Sequence, residues 1–416
     1  MQYPNTYYLI LGRNPSLSIT EIVALLKNTP PEIIALSREI ILIKSQENPV
    51  NLMKRLGGTI KIGTIVDIKP TPSDLTELSD TLYPLIPTSG DQKISFGLSA
   101  YLADDHTNLP NIHQLRELGM AIKRRLQENK IKARLVTSRE RALSSVIVST
   151  NHLLDRGVEI CLFFAQDKIY IGKTLAVQEF QEASFRDFGR PARAMKVGML
   201  PIQLAKILIN LAAQPLQTTI LDPFCGFGTI LSEAALMGYQ NLIGTDINPQ
   251  AIEGTKQNLE WLKTKFQITN YKLQTLQSDA RQLSTRLSHN SIDAIITEPY
   301  MGSTRGTNNH ALEVKNLIDL YIDTFREFKK ILKPNGRVIF IFPIFKHNNT
   351  LTKTSDAVMP EIKKLGFEPM SILPPSISTH YLPTGQAGSL PTTHSITYSR
   401  PDQKVLREIF VFQKED

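Results

Sequence analysis

Two cysteines, Cys161 and Cys225, are all that the 416 residues contain, and they stand far apart in the chain. A disulfide framework or a thiolate zinc site needs more sulfur at closer spacing, so neither organises this protein and no metal is expected. Long apolar runs are also missing. The longest, Val338 to Phe345, has the length of a strand and is interrupted by Pro343, so no segment is expected to cross a bilayer as a helix. Met1 to Tyr8 is polar and lacks the basic start and apolar stretch of a secretion signal; a soluble, cytoplasmic protein is expected. Internal repeats are absent too. With 41% hydrophobic residues the chain can fill ordinary cores, and its length points to two or three domains.

The net charge of +8 is modest for this length but unevenly spread. Residues 112–196 carry 16 Lys and Arg against 9 Asp and Glu, a net of +7, whereas residues 1–111 stand at −2 and residues 197–416 at +3. Within the basic segment Lys123, Arg124, Arg125, Lys130, Lys132, Arg134, Arg139 and Arg141 crowd a helix, a turn and a strand start. Such a run often forms a solvated face, but it is also what a polyanion needs for its phosphates.

The densest motif is Ile-Leu-Asp-Pro-Phe-Cys-Gly-Phe-Gly-Thr, from Ile220 to Thr229, continuing to Leu-Ile-Gly-Thr-Asp-Ile-Asn at Leu242 to Asn248. It reads as strand, glycine turn, helix and second strand. Gly226 and Gly228 permit a tight turn and close approach of a ligand to the backbone. A dinucleotide fingerprint would carry a third glycine and aim backbone N–H groups at a pyrophosphate. Here Asp222 precedes the turn, where it would repel phosphate yet suit the ammonium of a methionine moiety. Asp246 follows 24 residues later, at the end of the next strand, where a carboxylate can accept from two ribose hydroxyls. Cys225, inside the turn, has no histidine nearby in sequence to activate it as a nucleophile.

On these residues the chain resembles the class I methyltransferases, in particular RNA-modifying enzymes with an Asp-Pro-x-Cys-Gly-x-Gly-Thr signature. Ser278-Asp279-Ala280 resembles the third motif, whose acid accepts from the adenine amine. The resemblance implies S-adenosylmethionine as cofactor, held by Asp222, Phe224, Gly226, Gly228, Thr229, Asp246, Ile247, Asp279 and Ala280. It places Thr297-Glu298-Pro299-Tyr300-Met301-Gly302 where exocyclic-amine methyltransferases carry Asp-Pro-Pro-aromatic. Two registers are open. In one, Glu298 replaces the acid, Pro299 keeps the first proline and Tyr300 the second; in the other, Thr297 stands for the acid and Tyr300 for the aromatic. The first retains a carboxylate and a proline carbonyl as acceptors, which draw the protons of a delocalised amine out of conjugation and free its lone pair. Arg305, just beyond, could hold a phosphate.

Elements before this region read as a strand at Tyr7 to Gly12, a helix at Leu17 to Leu26 capped by Ser18 or Thr20, a strand at Ile40 to Ile43 and another in Arg55 to Gly63. A boundary is expected near Pro70 to Ser73. Leu115, Leu118, Ile122 and Leu126 then line one face of a helix over Asn111 to Gln127, followed by strands at Ala133 to Val136, Ile160 to Phe164 and Lys168 to Ile171. The arrangement resembles a ferredoxin-like unit (residues 1–72) and a THUMP-like RNA-binding domain (73–176), with Lys123, Arg124, Arg125, Lys132, Arg134, Arg139 and Arg141 as RNA contacts. An extended linker (177–197) and a class I methyltransferase domain (198–416) complete the plan. The fold class expected is α/β, with a C-terminal Rossmann-like seven-stranded sheet. Pro374 to Arg400 reads as a long loop.

The Arg-Pro…Gly-x-Leu-Pro…Asn-Leu-Ala segment from Arg190 to Ala212 resembles tRNA guanosine N2-methyltransferases of archaea and eukaryotes. That resemblance implies methylation of a guanosine N2 amine in tRNA, by a monomer or with a small activating protein partner. A DNA or ribosomal RNA amino-methyltransferase, and a catalytically impaired RNA-binding protein, are the alternatives.

Overall fold

The computed structural model describes residues 3–88, 93–193, 199–302, 310–347, 350–373, 377, 394–400 and 403–416. The chain divides into two compact units, Met1–Ile19 with Asn28–Gln181, and Thr20–Lys27 with Glu182–Asp416.

In the N-terminal part, runs of β-branched residues become strands between short helices: β1 (Thr6–Leu11), α1 (Pro15–Leu25), β2 (Glu32–Leu36), β3 (Ile40–Lys44), α2 (Pro49–Arg55), β4 (Thr59–Pro70), α3 (Ser79–Leu82), β5 (Ile94–Leu102), α4 (Ile112–Glu128), β6 (Ala133–Val136), α5 (Ser145–Thr150), β7 (Gly157–Phe164) and β8 (Lys168–Val177). The eight strands form one sheet in the order β2-β3-β1-β4-β8-β7-β5-β6. β4 pairs with β8 from Lys61 against Val177 to Pro70 against Lys168, so hydrogen bonding runs across the boundary expected near residue 72. The two N-terminal parts therefore share a single sheet. At α1 the Leu17 N–H donates to Asn14 Oδ1 (3.2 Å), which makes Asn14 the cap. Ser18, expected in that role, instead donates its hydroxyl to the Gly58 carbonyl (2.6 Å).

A polar network lies inside this sheet. Lys61 donates to the Glu159 carboxylate and to the Leu143 carbonyl, each at 2.5 Å. Ser99 and Thr174 donate to the two oxygens of Glu159, both at 2.6 Å. Tyr8 reaches Thr174 at 2.7 Å. Two missing side chains make its room, since a Cβ on Gly63 or Gly172 would come within 2.4 and 2.6 Å of the Tyr8 ring. Desolvating an ion pair is costly and is offset only where the remaining lone pairs and protons are satisfied, as they are around Glu159.

The second part contains α6 (Phe180–Phe188), α7 (Ile202–Ala212), β9 (Thr219–Asp222), α8 (Thr229–Leu236), β10 (Asn241–Asp246), α9 (Pro249–Phe266), β11 (Lys272–Gln277), β12 (Ile292–Thr297), α10 (His310–Ile331), β13 (Leu332–His347), β14 (Thr350–Lys353), α11 (Thr354–Lys364), β15 (Phe367–Pro369), β16 (Ser395–Tyr398) and β17 (Val405–Lys414). Helix α6 corrects the expectation of an extended linker. Among the described residues seven strands follow the order β11-β10-β9-β12-β13-β17-β15, and β14 and β16 extend the sheet to nine, two more than expected. β11, β10, β9, β12 and β13 are mutually parallel, and β17 returns antiparallel to β13. The core on one face is aromatic: Phe325 of α10 meets Phe340 and Phe412 of the sheet edge-on, at 5.1 and 5.4 Å between centroids. Most of the Pro374 to Arg400 loop, and Arg305, lie outside the described residues.

Lys61→Ala leaves the Glu159 charge buried without its partner. It is expected to destabilise the N-terminal unit by about 3–5 kcal/mol, read as a lower unfolding midpoint in urea. Lys61→Met with Glu159→Gln should recover much of that loss.

Candidate active site

Parallel pairing places the carboxyl ends of β9, β10, β11 and β12 along one edge, with Asp222 and Asp246 in the last positions of their strands and Thr297 in the last of β12. This edge is where ligands bind in open parallel sheets.

The glycine turn between β9 and α8 is held from several sides. Gly226 and Gly228 have φ of +51° and +80°, a left-handed backbone that favours glycine. The Gly226 N–H donates to Asp246 Oδ2 (2.9 Å), joining the two strand ends. From α9, Thr255 donates to the Gly226 carbonyl (2.7 Å) and Asn258 to the Phe227 carbonyl (2.9 Å). Arg190 donates to the Thr229 hydroxyl (2.9 Å) at the first turn of α8. A Cβ built on Gly226 meets nothing within 4 Å, so the turn opens onto space.

Asp222 is buried. It accepts from the Phe224 N–H (3.2 Å) and the Thr297 hydroxyl (2.7 Å), both on Oδ1. Burial pushes its pKa up to about 7; these two hydrogen bonds pull it down, and the charges of Asp246 and Glu298 add to the rise. Thr297, a candidate for the reacting acid's place in one register, is thus wholly buried and committed to Asp222. Asp246 also accepts from the Asn248 N–H (2.8 Å). Ile247 beside it is 64% exposed, a bare apolar surface next to the second strand end.

Asp279 caps a short turn beginning at the buried Ala280, accepts from the Arg281 N–H (2.9 Å), and pairs with the Arg281 guanidinium at 2.6 Å. Those bonds hold its carboxyl below the usual carboxylate range. In the following loop Glu298 pairs through Oε1 with Arg407 Nε of β17 (2.5 Å). Pro299 is buried. Tyr300 is 56% exposed, while its carbonyl accepts from the buried Tyr321 hydroxyl of α10 (2.7 Å). Burial raises the Cys225 thiol, which keeps it protonated and inert. Among the described residues no group of His, Cys, Asp and Glu could hold a metal ion, and no helix is long and apolar enough to cross a membrane.

Asp222, Phe224, Gly226, Gly228, Thr229 and Asp246 are therefore tied by direct bonds or by one shared turn, and Glu298 follows Thr297, which is bonded to Asp222. Asp279 follows β11, the next strand along the same edge. The motifs give no sign of Arg407, Tyr321, Thr255 or Asn258, which reach the site from distant parts of the chain. Arg281, two residues from Asp279, carries the one local signal that sequence reasoning missed. In the N-terminal unit Arg124, Lys130, Lys132, Arg139 and Arg141 are exposed, and Lys123 is half-buried. Arg134, also exposed, donates to Asn151 (2.8 Å), and Arg125 is bound to Asp80 (2.6 Å). Lys132 and Arg134 lie beside and on β6, the edge of the eight-stranded sheet.

Residues 190–367 match the family described as RMKL-like, methyltransferase domain. The tRNA (guanine(10)-N2)-dimethyltransferase of Methanothermobacter thermautotrophicus is 37% identical over 144 residues, which are 34% of this chain and 39% of that protein. The enzyme of the same name from Methanocaldococcus jannaschii is 32% identical over 148 residues, 35% of this chain and 38% of that one. The chain thus spans under two fifths of the length of these curated relatives. The crystal structure of TrmN from Thermus thermophilus superposes with a TM-score of 0.54 at 18% identity, covering 98% of this chain and 99% of that one. At such identity the likeness concerns the fold. The family resemblance carried by the motifs is borne out by these matches.

Because burial raises the pKa of Asp222 to about 7, ionising it is disfavoured in the folded state, and this group's contribution to stability is lost as pH rises from about 4 to about 7. Asp222→Asn removes this penalty while keeping an oxygen for Thr297 and Phe224. Its unfolding midpoint should exceed that of the wild type at pH 8, with the gain shrinking to nothing towards pH 4; a gain independent of pH would contradict the assignment.

Proposed function

We propose that this protein is an S-adenosylmethionine-dependent methyltransferase acting on the N2 amine of a guanosine in tRNA. The observation that carries the reading is the meeting of the Asp222–Gly226–Asp246 cluster with the Glu298-Pro299 loop through Thr297 and Asp222. The strand order, with one late antiparallel strand inserted, supports a class I methyltransferase plan enlarged by β14 and β16. The eight-stranded sheet supports a THUMP-like and ferredoxin-like RNA-binding region over residues 1–176. The protein would work in the cytoplasm as a monomer or with a small activating partner.

The residues present suit the cofactor. Gly226 leaves the approach to the turn open, Asp222 sets a carboxylate where an ammonium would be stabilised, and Asp246 stands at the second strand end for ribose hydroxyls. Ile247 offers an apolar wall to a purine, and Asp279 can accept from its amine while shared with Arg281. S-adenosylmethionine supplies a sulfonium-bound methyl group. On the substrate side the Glu298 carboxylate and the Pro299 carbonyl accept the two amine hydrogens and release the nitrogen lone pair. The exposed Tyr300 ring is available to stack on a base taken out of its helix. Most of the remaining barrier is lowered by holding nitrogen, methyl and sulfur in line.

Unmodified total tRNA incubated with isotopically labelled S-adenosylmethionine should yield labelled N2-methylguanosine on nucleoside mass spectrometry. Glu298→Ala should reduce the product on the order of a hundredfold or more. Label on adenosine, or cofactor and tRNA binding with no labelled nucleoside, would replace this reading with one of the alternatives.

The exposed cations provide a separate check. Lys132→Ala with Arg139→Ala should weaken tRNA binding and flatten its dependence on log salt concentration by roughly 0.7–0.9 for each phosphate that is no longer neutralised. Cofactor affinity should not change.

A further inference from the structure

We propose that Arg407 is a positioning residue for the reaction: it holds one oxygen of the Glu298 carboxylate so that the other is turned to the substrate amine. The inference rests on the reading of Glu298 as the acceptor of an amine proton. Glutamate is longer by one methylene than the aspartate the motif leads one to expect, and each added torsion must be ordered if the acceptor is to sit still. The Nε–Oε1 contact of 2.5 Å supplies that order, and both side chains are largely buried, at 12% and 13% exposure. Arg407 comes from β17, with β13 lying between it and the end of β12. Its neighbour Glu408 is occupied elsewhere by Lys353, Ser355 and Ser395, so the guanidinium is not drawn to the adjacent acid.

The charge of Glu298 is felt by its surroundings: it adds to the rise in the pKa of Asp222 on β9 and of the Tyr321 phenol on α10, both raised first by burial. The Arg407 guanidinium sets an opposite charge directly on this carboxylate and leaves its second oxygen without a fixed partner from that side chain. A carboxyl that already carries a proton cannot take the amine's. In the transfer the N2 lone pair forms the N–C bond as the C–S bond breaks. Sulfur leaves as a neutral thioether with that electron pair, and the surplus N2 proton passes to Glu298 and on to water.

The test compares wild type, Arg407→Gln, Arg407→Lys and Glu298→Gln, each first shown to bind cofactor and to unfold cooperatively. Carboxyl-carbon NMR of protein labelled with 13C at glutamate, with Glu298 assigned by its absence in Glu298→Gln, reports the setting of that carboxyl directly. Arg407→Gln is expected to move the Glu298 signal and to lower kcat by about tenfold or more, with KM for tRNA within about twofold, and Arg407→Lys should restore part of both. Arg407→Gln placed on Glu298→Gln should cause no further loss. An unchanged Glu298 signal, or a loss of kcat that Arg407→Lys does not relieve, overturns the inference. A signal that moves in a protein labelling no guanosine supports the pair and overturns the proposed reaction instead.

Discussion

A carboxylate kept out of water at the end of a parallel strand is the constraint on which the C-terminal unit depends. Asp222 is buried beneath the glycine turn, with Asp246 and Glu298 close enough for their charges to oppose its ionisation. Such an arrangement is unfavourable by itself, and two hydrogen bonds, from Phe224 and Thr297, offset part of its cost. The same two bonds do the architectural work. One closes the turn that carries Gly226 and Gly228, and the other fastens the end of β12, from which the Glu298 loop departs. A cation placed beside Asp222 would relieve the repulsion, so the electrostatics of this strand end favour a positively charged ligand.

The N-terminal unit solves a different problem by similar means. Its sheet must carry strands from both ends of a long segment, β1 to β4 and β5 to β8, in one layer. Burying Lys61 against Glu159 crosses that layer, and satisfaction of the pair by Ser99, Thr174 and the Leu143 carbonyl makes the crossing specific. The Leu143 N–H in turn donates to Ser99 (2.9 Å). The interior network thereby fixes the chain just beyond Arg139 and Arg141, so buried charge positions exposed charge.

Legibility in the sequence follows the range of each interaction. The helix of Leu115, Leu118, Ile122 and Leu126 and the strand Ala133–Val136 stand where the sequence leads one to expect them, because their periodicity is contained within a few residues. The placement of Gly226, Gly228, Asp222 and Asp246 is likewise local, a turn chemistry flanked by two strands. The departures lie where distant partners decide. Ser18 is expected to cap α1, but it serves Gly58, forty residues away. The segment after β8 has few apolar residues and is expected to be extended, yet it forms α6, whose buried Ala183 and paired Arg186 gain their stability from tertiary contacts. β14 and β16 are short strands that exist because β13 and β17 offer them edges.

The sequence by itself determined the chemistry available: which acids stand at strand ends, where the backbone may turn left-handed, and which surface is rich in cations. Those properties reside in single residues and their immediate neighbours. Tertiary structure alone decided which of these groups act on one another. Arg407 meets Glu298 across 109 positions of sequence and Thr297 meets Asp222 across 75, because parallel strands bring their ends to one edge and β17 returns antiparallel beside β13. Burial, which sets the state of Asp222, is likewise a property of the packed sheet. No window of sequence contains it, since the atoms that exclude water from one carboxylate come from every strand around it.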